Sequence, residues 1–233
     1  MLYLNQLAQF LDQFLLVQRF EHDPSGIYHP SNRPIRRLGL ALEPWPQIAK
    51  WVAATQVDAL FLHRPWKIAE EPLPTDIGVL SYHLTFDERL TLGFNPLLAN
   101  HLGLFSLEEL GYKAGRPIGM LGQVSEQTVA SFCDRVQHLF RGYEAIEEGN
   151  LTEVTKVAVV GAMTEALVRE ASTKGAAVYI TGQFRQPARS TVLETGINVV
   201  AIGHHRSEIW GLQALADVLR DRWPDLEVIL PPS

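Results

Sequence analysis

The chain has 233 residues and a formal net charge of −6, and 46% of its residues are hydrophobic and 20% charged. This composition is typical of a folded globular protein, and no run of about eighteen apolar residues predicts a membrane-spanning helix. The absence of a large basic stripe argues against a nucleic-acid partner. The sequence lacks a secretory signal pattern and has one cysteine, Cys133, so we expect a reducing cytoplasmic location and no internal disulfide.

The N-terminal segment is predicted to be a helix followed by a long loop. Apolar residues recur at helical spacing over residues 2–20. Residues 21–34 contain three prolines and a glycine, which predicts irregular structure. A loop of this length is often a lid over a pocket, and a plain surface segment is the alternative. The sequence leaves both interpretations open.

The next segment is predicted to be a β-α-β unit with a further strand behind it. Apolar runs at residues 38–42, 58–62 and 77–82 predict strands, and residues 47–54 predict a helix. Continuous apolar strands are typical of parallel sheets that are covered on both faces. His63 follows the second of these strands directly, at the carboxyl end where open α/β sheets bind their ligands.

The middle of the chain is less regular. Residues 115–122 contain three glycines, which predicts a strand or bend with close backbone approach. They lack the Gly-Lys-Ser/Thr sequence of a phosphate-binding loop. An apolar pattern behind Ser125 predicts a capped helix over residues 125–140. The polar residues 144–153 are predicted to be a connector.

The second half of the chain repeats the pattern of the first. Its predicted strands and helices, in order, are strand 157–161, helix 164–174, strand 177–181, strand 198–202, helix 209–219 and strand 227–230. A repeat at this level is evidence about the fold rather than about a single motif. We therefore predict an α/β fold in which two similar βαβ-containing lobes pack around a central site. The lobes are expected over about residues 1–145 and 146–233 of a single domain.

The same pair of side chains follows a predicted strand in each half. His83 is followed four residues later by Asp87, and His204 is followed four residues later by Glu208. Residues four apart share one face of a helix. Imidazoles with carboxylates suit zinc, manganese, iron or nickel, and enough carboxylates can bridge two ions about 4 Å apart. The alternative is that these residues only form hydrogen bonds at strand ends.

The motifs, taken in order, resemble the NIF3-like family, also called DUF34 or GTP cyclohydrolase 1 type 2 homologues, over nearly the whole chain. The matching segments are His63-Arg64-Pro65, His83-Leu84-Thr85-Phe86-Asp87, Gly93-Phe94-Asn95, Gly115-Arg116-Pro117-Ile118-Gly119, Thr181-Gly182-Gln183 and Gly203-His204-His205-Arg206-Ser207-Glu208. A chain of this length resembles the short members, which lack an inserted middle domain.

The resemblance implies a dinuclear metal centre between two lobes and a homo-oligomer, a toroidal hexamer built from dimers. It carries four residues over as ligands of a divalent transition metal: His63, Asp87, His204 and Glu208. It also implies a surrounding pocket formed by Arg64, His83, His205, Asn95 and Gln183. The implied activity is hydrolysis of a small nucleotide-like or phosphorylated substrate, of the GTP cyclohydrolase type.

Arg64 departs from the family motif, which has a second histidine at this position. A guanidinium has no lone pair to offer a cation and stays protonated. We therefore expect one or two ions per chain, with Arg64 arguing against the second, and the guanidinium suits a small anionic ligand instead. Gln183 likewise stands where the family has aspartate. The alternative function is a non-catalytic oligomeric protein, binding or regulatory, with a degraded metal site.

Overall fold

The computed structural model describes residues 1–20, 23–68 and 73–231. The chain forms two compact units, Met1–Phe86 with Gly211–Ser233 (unit 1) and Asp87–Trp210 (unit 2). In chain order the elements are α1 (Leu4–Phe14), β1 (Gly26–His29), β2 (Arg37–Ala41), α2 (Ile48–Thr55), β3 (Ala59–Leu62), β4 (Gly78–Ser81), α3 (Leu84–Leu90), α4 (Pro96–Leu102), β5 (Phe105–Lys113), β6 (Arg116–Thr128), α5 (Val129–Phe140), β7 (Ala145–Glu147), β8 (Glu153–Val160), α6 (Glu165–Thr173), β9 (Val178–Thr181), α7 (Arg189–Thr195), β10 (Asn198–Ala201), α8 (His204–Arg222) and β11 (Glu227–Ile229).

Unit 1 contains a five-stranded sheet in the order β1-β4-β3-β2-β11. Strands β11, β2, β3 and β4 run parallel, and β1 pairs antiparallel with β4. Every residue of β3 and β4 is buried, which is the burial that the continuous apolar runs predicted. The predicted strands and the helix between them are therefore confirmed to within a few residues.

The N-terminal helix is shorter than predicted, and the loop behind it is partly ordered as a strand. Helix α1 ends at Phe14, and a short 3₁₀ helix, Val17–Arg19, follows Leu16, whose φ is 56°. The prediction of an irregular loop over residues 21–34 was wrong for β1, which pairs with β4. Most of β1 is exposed, so its sequence lacks the apolar alternation that reveals a half-buried strand. Residues 21 and 22 lie outside the described residues.

Unit 2 contains a six-stranded sheet in the order β5-β6-β8-β9-β10-β7. Strands β8, β9 and β10 are parallel, and β5, β6 and β7 are added antiparallel at the two sides. The predicted helix over residues 125–140 begins only at Val129, because β6 continues to Thr128 through its pairing with β8. The Thr128 side chain then caps α5 by accepting a hydrogen bond from the Ser131 amide. The predicted connector contains β7.

The two sheets share one arrangement of four strands. In unit 1, β2, β3 and β4 are adjacent parallel strands with β1 antiparallel beside β4. In unit 2, β8, β9 and β10 are adjacent parallel strands with β7 antiparallel beside β10. The division between units differs from the predicted lobes, because β5 and β6 join the second sheet and β11 joins the first.

Helices α3 and α8 carry the second His-x-x-x-acid residue of each repeat, and the division between the units falls within both helices. Over residues 1–20, 23–68 and 73–231, no helix combines the length and the apolar character needed to cross a membrane.

Candidate metal centre

His63 lies directly behind β3 and is fully buried. Its Nδ1 lies 3.0 Å from the carbonyl oxygen of Tyr82. A carbonyl can only accept a hydrogen bond, so Nδ1 carries the proton and donates it. The lone pair of the neutral ring is therefore on Nε2, the form in which histidine binds metal ions.

Tyr82 fixes the carbonyl that selects this tautomer. Its hydroxyl donates to the Ala8 carbonyl (3.2 Å) and to Oδ1 of Asp12 (2.8 Å). Burial and the neighbouring carboxylate raise the pKa of the Tyr82 phenol far above its usual value, so it remains a donor. The aromatic ring is itself completely buried. The tautomer of His63 thus depends on a bond network that reaches back to α1.

His83 follows β4 and lies beside His63. The two imidazole centroids are 5.0 Å apart, and the rings can each bring one nitrogen within 4.8 Å of the other. The opposite side of His83 contacts the indole of Trp66, at a centroid distance of 5.0 Å and in an edge-to-face arrangement. Unit 1 therefore presents two neighbouring imidazoles at the carboxyl end of its sheet.

Unit 2 brings together Asp87, His204 and Glu208. One potential ligand atom from each lies within 4.8 Å of the other two. Nε2 of His204 and Oε1 of Glu208 are 2.9 Å apart, across one turn of α8. Glu208 is only 1% exposed, whereas the His204 side chain is 67% exposed. The group thus has a buried acidic end and a solvent-facing imidazole.

The chemistry of this group fits a divalent cation. Two carboxylates this close repel each other, and burying a carboxylate is costly unless it is paired. A cation between them removes both penalties. One imidazole nitrogen with carboxylate oxygens is a donor set suited to zinc, manganese, iron or nickel. The residues of unit 2 can therefore hold a metal ion, as the His-x-x-x-acid spacing predicted for His204 and Glu208.

A backbone conformation and a pair of hydrogen bonds position these ligands. Gly203 precedes α8 with a φ of 96°, a left-handed conformation that glycine adopts without strain. Its amide donates to the Gly182 carbonyl at 2.8 Å. On α3, Arg116 holds Glu88, the residue next to Asp87, through two hydrogen bonds of 3.1 Å. A bidentate pair of this kind restricts the orientation of the helix turn that carries Asp87.

The sequence motifs contain Arg116 but give no sign of its partner. Glu88 lies 28 positions earlier in the chain, and only the sheet of unit 2 brings the two together. The same is true of Asp12, which lies 70 positions before Tyr82. Supporting residues of this type become visible only once the fold is known.

The other predicted pocket residues contact different parts of the chain. Arg64 is largely buried, and its Nε lies 3.9 Å from a carboxylate oxygen of Glu43. Asn95 is fully buried and caps α4, since its Oδ1 accepts from the Leu98 amide and its Nδ2 donates to the Thr91 carbonyl. The oxygen and the nitrogen of the Asn95 side-chain amide thus both form hydrogen bonds with neighbouring residues of the chain.

His205 and Gln183 are exposed in unit 2. His205 is the second residue of α8, beside His204. Gln183 lies two residues beyond β9, and its Oε1 accepts a hydrogen bond of 3.1 Å from Arg185.

Comparison with known proteins agrees with the motifs. A family model described as Duf34/NIF3 (NGG1p interacting factor 3) matches residues 2–232. A curated relative from Deinococcus radiodurans, named GTP cyclohydrolase 1 type 2 homolog, is 24% identical over 235 residues, covering 94% of this chain and 89% of the relative. A protein of the same name from Allochromatium vinosum is 26% identical, covering 93% of this chain and 91% of the relative.

Solved structures show the same fold. A protein from Thermus thermophilus superposes with a TM-score of 0.75 at 24% identity, covering 100% of this chain and 99% of that one. Reduced HcgD from Methanocaldococcus jannaschii gives a TM-score of 0.75 at 22% identity, covering 98% and 97% of the two chains. The family model spans nearly every residue of the chain. The chain therefore belongs to the Duf34/NIF3 family.

Proposed function

We propose that this protein is a metal-dependent hydrolase of a small nucleotide-like or phosphorylated substrate. His63, Asp87, His204 and Glu208 are the proposed ligands of a divalent transition metal, which is zinc, manganese, iron or nickel. The observation that carries the proposal is the Asp87, His204 and Glu208 group, whose ligand atoms lie within 4.8 Å of one another. The name of the curated relatives, GTP cyclohydrolase 1 type 2 homolog, supports a guanine nucleotide as the first substrate to test.

The residues of this chain supply the binding and the proton positions. A bound divalent cation would contribute a Lewis acid and a water whose pKa is lowered toward about 7. Asp87 and Glu208 supply the negative charge that attracts the cation. His63 presents its Nε2 lone pair because the Tyr82 carbonyl holds the proton on Nδ1. The buried carboxylate of Glu208 orients the exposed ring of His204.

Arg64 supports one ion rather than two, and it also supports the alternative function. The guanidinium cannot bind a cation, and it places a fixed positive charge next to His63 in the sequence. A protein that had lost its metal could use this charge to bind a small anion such as phosphate. The second candidate is therefore a non-catalytic binding or regulatory protein with the same fold.

Metal content separates the two candidates. Elemental analysis would be made on the purified wild type, on Arg64→His, which restores the family ligand, and on Arg64→Ala, which removes the charge without adding a ligand. One ion per chain in wild type and in Arg64→Ala, with two in Arg64→His, is the result expected for the hydrolase. No ion in wild type but metal in Arg64→His favours the binding protein. No metal in any of the three contradicts the proposed ligands.

We also propose that the protein assembles as a homo-oligomer, a hexameric ring built from dimers. Strand β5 supports self-association, because it is the last strand of its sheet and exposes Phe105 (49%) and Tyr112 (62%). Exposed edge strands with apolar side chains readily pair with another chain. Light scattering coupled to size-exclusion chromatography tests this, since a monomeric mass at micromolar concentration would contradict it.

A further inference from the structure

Trp66 differs from the other tryptophans in its exposure. All five tryptophans of the chain lie within the described residues, and only Trp66 is among the exposed large hydrophobic side chains, at 59%. Trp45 and Trp51 pack against each other, and Trp223 packs edge-on against Phe10. Exposed indole surface forgoes the stabilisation that burial would give. A single exposed apolar residue is not evidence by itself, so the surroundings of Trp66 decide its meaning.

The Trp66 ring is held in a fixed position. Its edge-to-face contact with His83 has an interplanar angle of 74°. The turn that carries it is closed by a hydrogen bond of 2.9 Å from the Ile68 amide to the Pro65 carbonyl. Pro65 and Ile68 are both buried and anchor the turn on either side. A flat surface that is already ordered costs little conformational entropy to use in binding.

Trp66 ends a row of three rings that begins at a proposed metal ligand. His63 is buried, His83 is half-buried and Trp66 is exposed. Two successive centroid steps of 5.0 Å place the indole within about 10 Å of the His63 ring. Trp66 and the proposed metal ligand His63 thus both follow β3 at the carboxyl end of the sheet, where α/β proteins bind ligands.

Two cationic residues stand on either side of Trp66 in the sequence. Arg64 precedes it by two residues, and the exposed Lys67 follows it directly. The guanidinium of Arg64 is 3.9 Å from Glu43, whose side chain is 57% exposed. An exposed aromatic ring with cationic residues close to it in the sequence suits an aromatic base that carries phosphates.

We propose that Trp66 is the stacking surface for the base of the substrate, and that the substrate is a nucleotide rather than a simple phosphorylated sugar. The inference rests on the proposed nucleotide-directed function and makes it more specific. Trp66 selects for the presence of a base, and Arg64 and Lys67 interact with the phosphates. Stacking of a base on an aromatic side chain accounts for about a 5- to 150-fold difference in affinity when the ring is removed.

Calorimetric titration of the full-length protein tests this proposal with two probes, GTP and inorganic triphosphate. Trp66→Ala is expected to weaken GTP binding about tenfold or more and to change triphosphate binding by less than about twofold. Trp66→Phe keeps a smaller ring and is expected to fall between the two. Tyr3→Ala, at an exposed aromatic (40%) just before α1, is the control and should leave both affinities unchanged.

Two results would overturn the proposal: Trp66→Ala that binds GTP as tightly as wild type, or wild type that binds GTP no more tightly than triphosphate. An unchanged melting temperature in Trp66→Ala shows that the variant is folded. The metal content of the same samples reports separately on the hydrolase. If the purified wild type holds no metal and Trp66→Ala loses GTP binding, the stacking role is supported and the hydrolase is contradicted. If the purified wild type holds metal and Trp66→Ala binds GTP as tightly as wild type, the hydrolase is supported and the stacking role is contradicted.

Discussion

Replacing Glu208 with glutamine should stabilise the metal-free protein, and bound metal should cancel that gain. The substitution keeps the shape of a side chain that is 1% exposed and removes its charge. In unit 2 a carboxylate oxygen of Glu208 lies within 4.8 Å of one from Asp87. At an effective dielectric constant of about 20, two unit charges at that separation repel by about 3 kcal/mol. Weakening the contact with the exposed His204 offsets about 1 kcal/mol of this. Metal-free Glu208→Gln should therefore be about 2 kcal/mol more stable than wild type.

Metal should cancel this advantage. At a free metal concentration 100 times the dissociation constant, binding stabilises wild type by about 2.7 kcal/mol. If losing the charged ligand weakens affinity about 100-fold, the variant gains only about 0.4 kcal/mol under the same conditions. For a chain of this size, 1 kcal/mol corresponds to a change in melting temperature of about 2–4 °C.

Thermal denaturation in chelator and in excess zinc or manganese measures both effects. In chelator, Glu208→Gln should melt about 4–8 °C above wild type, and with metal the two curves should nearly coincide. Glu194→Gln, at an exposed ion pair with Arg169, is the control and should follow wild type in both conditions. A Glu208→Gln variant that is equally destabilised with and without metal would refute the reasoning, since Glu208 would then serve only as a hydrogen-bond partner of His204.

Three further results are expected. Tyr82→Phe should lower the free energy of unfolding in urea by about 1–3 kcal/mol, because Asp12 and the Ala8 carbonyl lose a buried donor; an unchanged midpoint would contradict this. Burial raises the pKa of the Cys133 thiol, so iodoacetamide should alkylate it more slowly at pH 8 in the folded protein than in the urea-unfolded chain, and the rise of its rate with pH should be shifted to higher pH. The hydrogen bonds from Arg37 lower the pKa of the Glu227 carboxyl, so this pair stabilises the fold above the unfolded pKa of the carboxyl and loses that effect as pH falls through the lower folded pKa. Glu227→Gln should therefore lose less melting temperature than wild type as the pH is lowered. Identical melting-temperature profiles for the two proteins would show that the pair contributes nothing.

The strands that could be predicted are those whose residues are buried on both faces. Strands β3 and β10 have four consecutive buried residues each, and their sequences are apolar apart from Asn198 at the start of β10. Strands β1, β5 and β7 are at the sides of their sheets and are largely exposed. Their side chains carry little of the apolar pattern that marks a strand, so backbone pairing alone defines them.

The predicted start of α5, at Ser125, is too early for a similar reason. Ser125 precedes an apolar helical pattern and resembles a helix cap, but Gln127 and Thr128 pair with β8 and keep the chain extended. Long-range pairing overrides a local capping signal. Thr128, three residues later, makes the cap instead.

In the candidate site, too, local contacts could be predicted from the sequence and contacts between distant segments could not. The spacing of His204 and Glu208 depends only on a helix turn, and the structure has that contact. The environment of Arg64 depends on Glu43, a residue of another loop, and the tautomer of His63 depends on the carbonyl of Tyr82. Contacts between distant segments are set by the tertiary fold and leave no periodic trace in the sequence.

The shared four-strand arrangement of the two sheets bears on the ancestry of this protein. Such an arrangement indicates duplication of a half-length gene, after which each copy was free to diverge. The strand-end histidine-acid pair persists in both copies, as His83 with Asp87 and as His204 with Glu208. The end of the middle strand has diverged, with His63 behind β3 and Gly182 behind β9. Fusion of two halves into one chain lets mutations such as Arg64 arise in one copy alone, which an ancestor made of two identical subunits could not do.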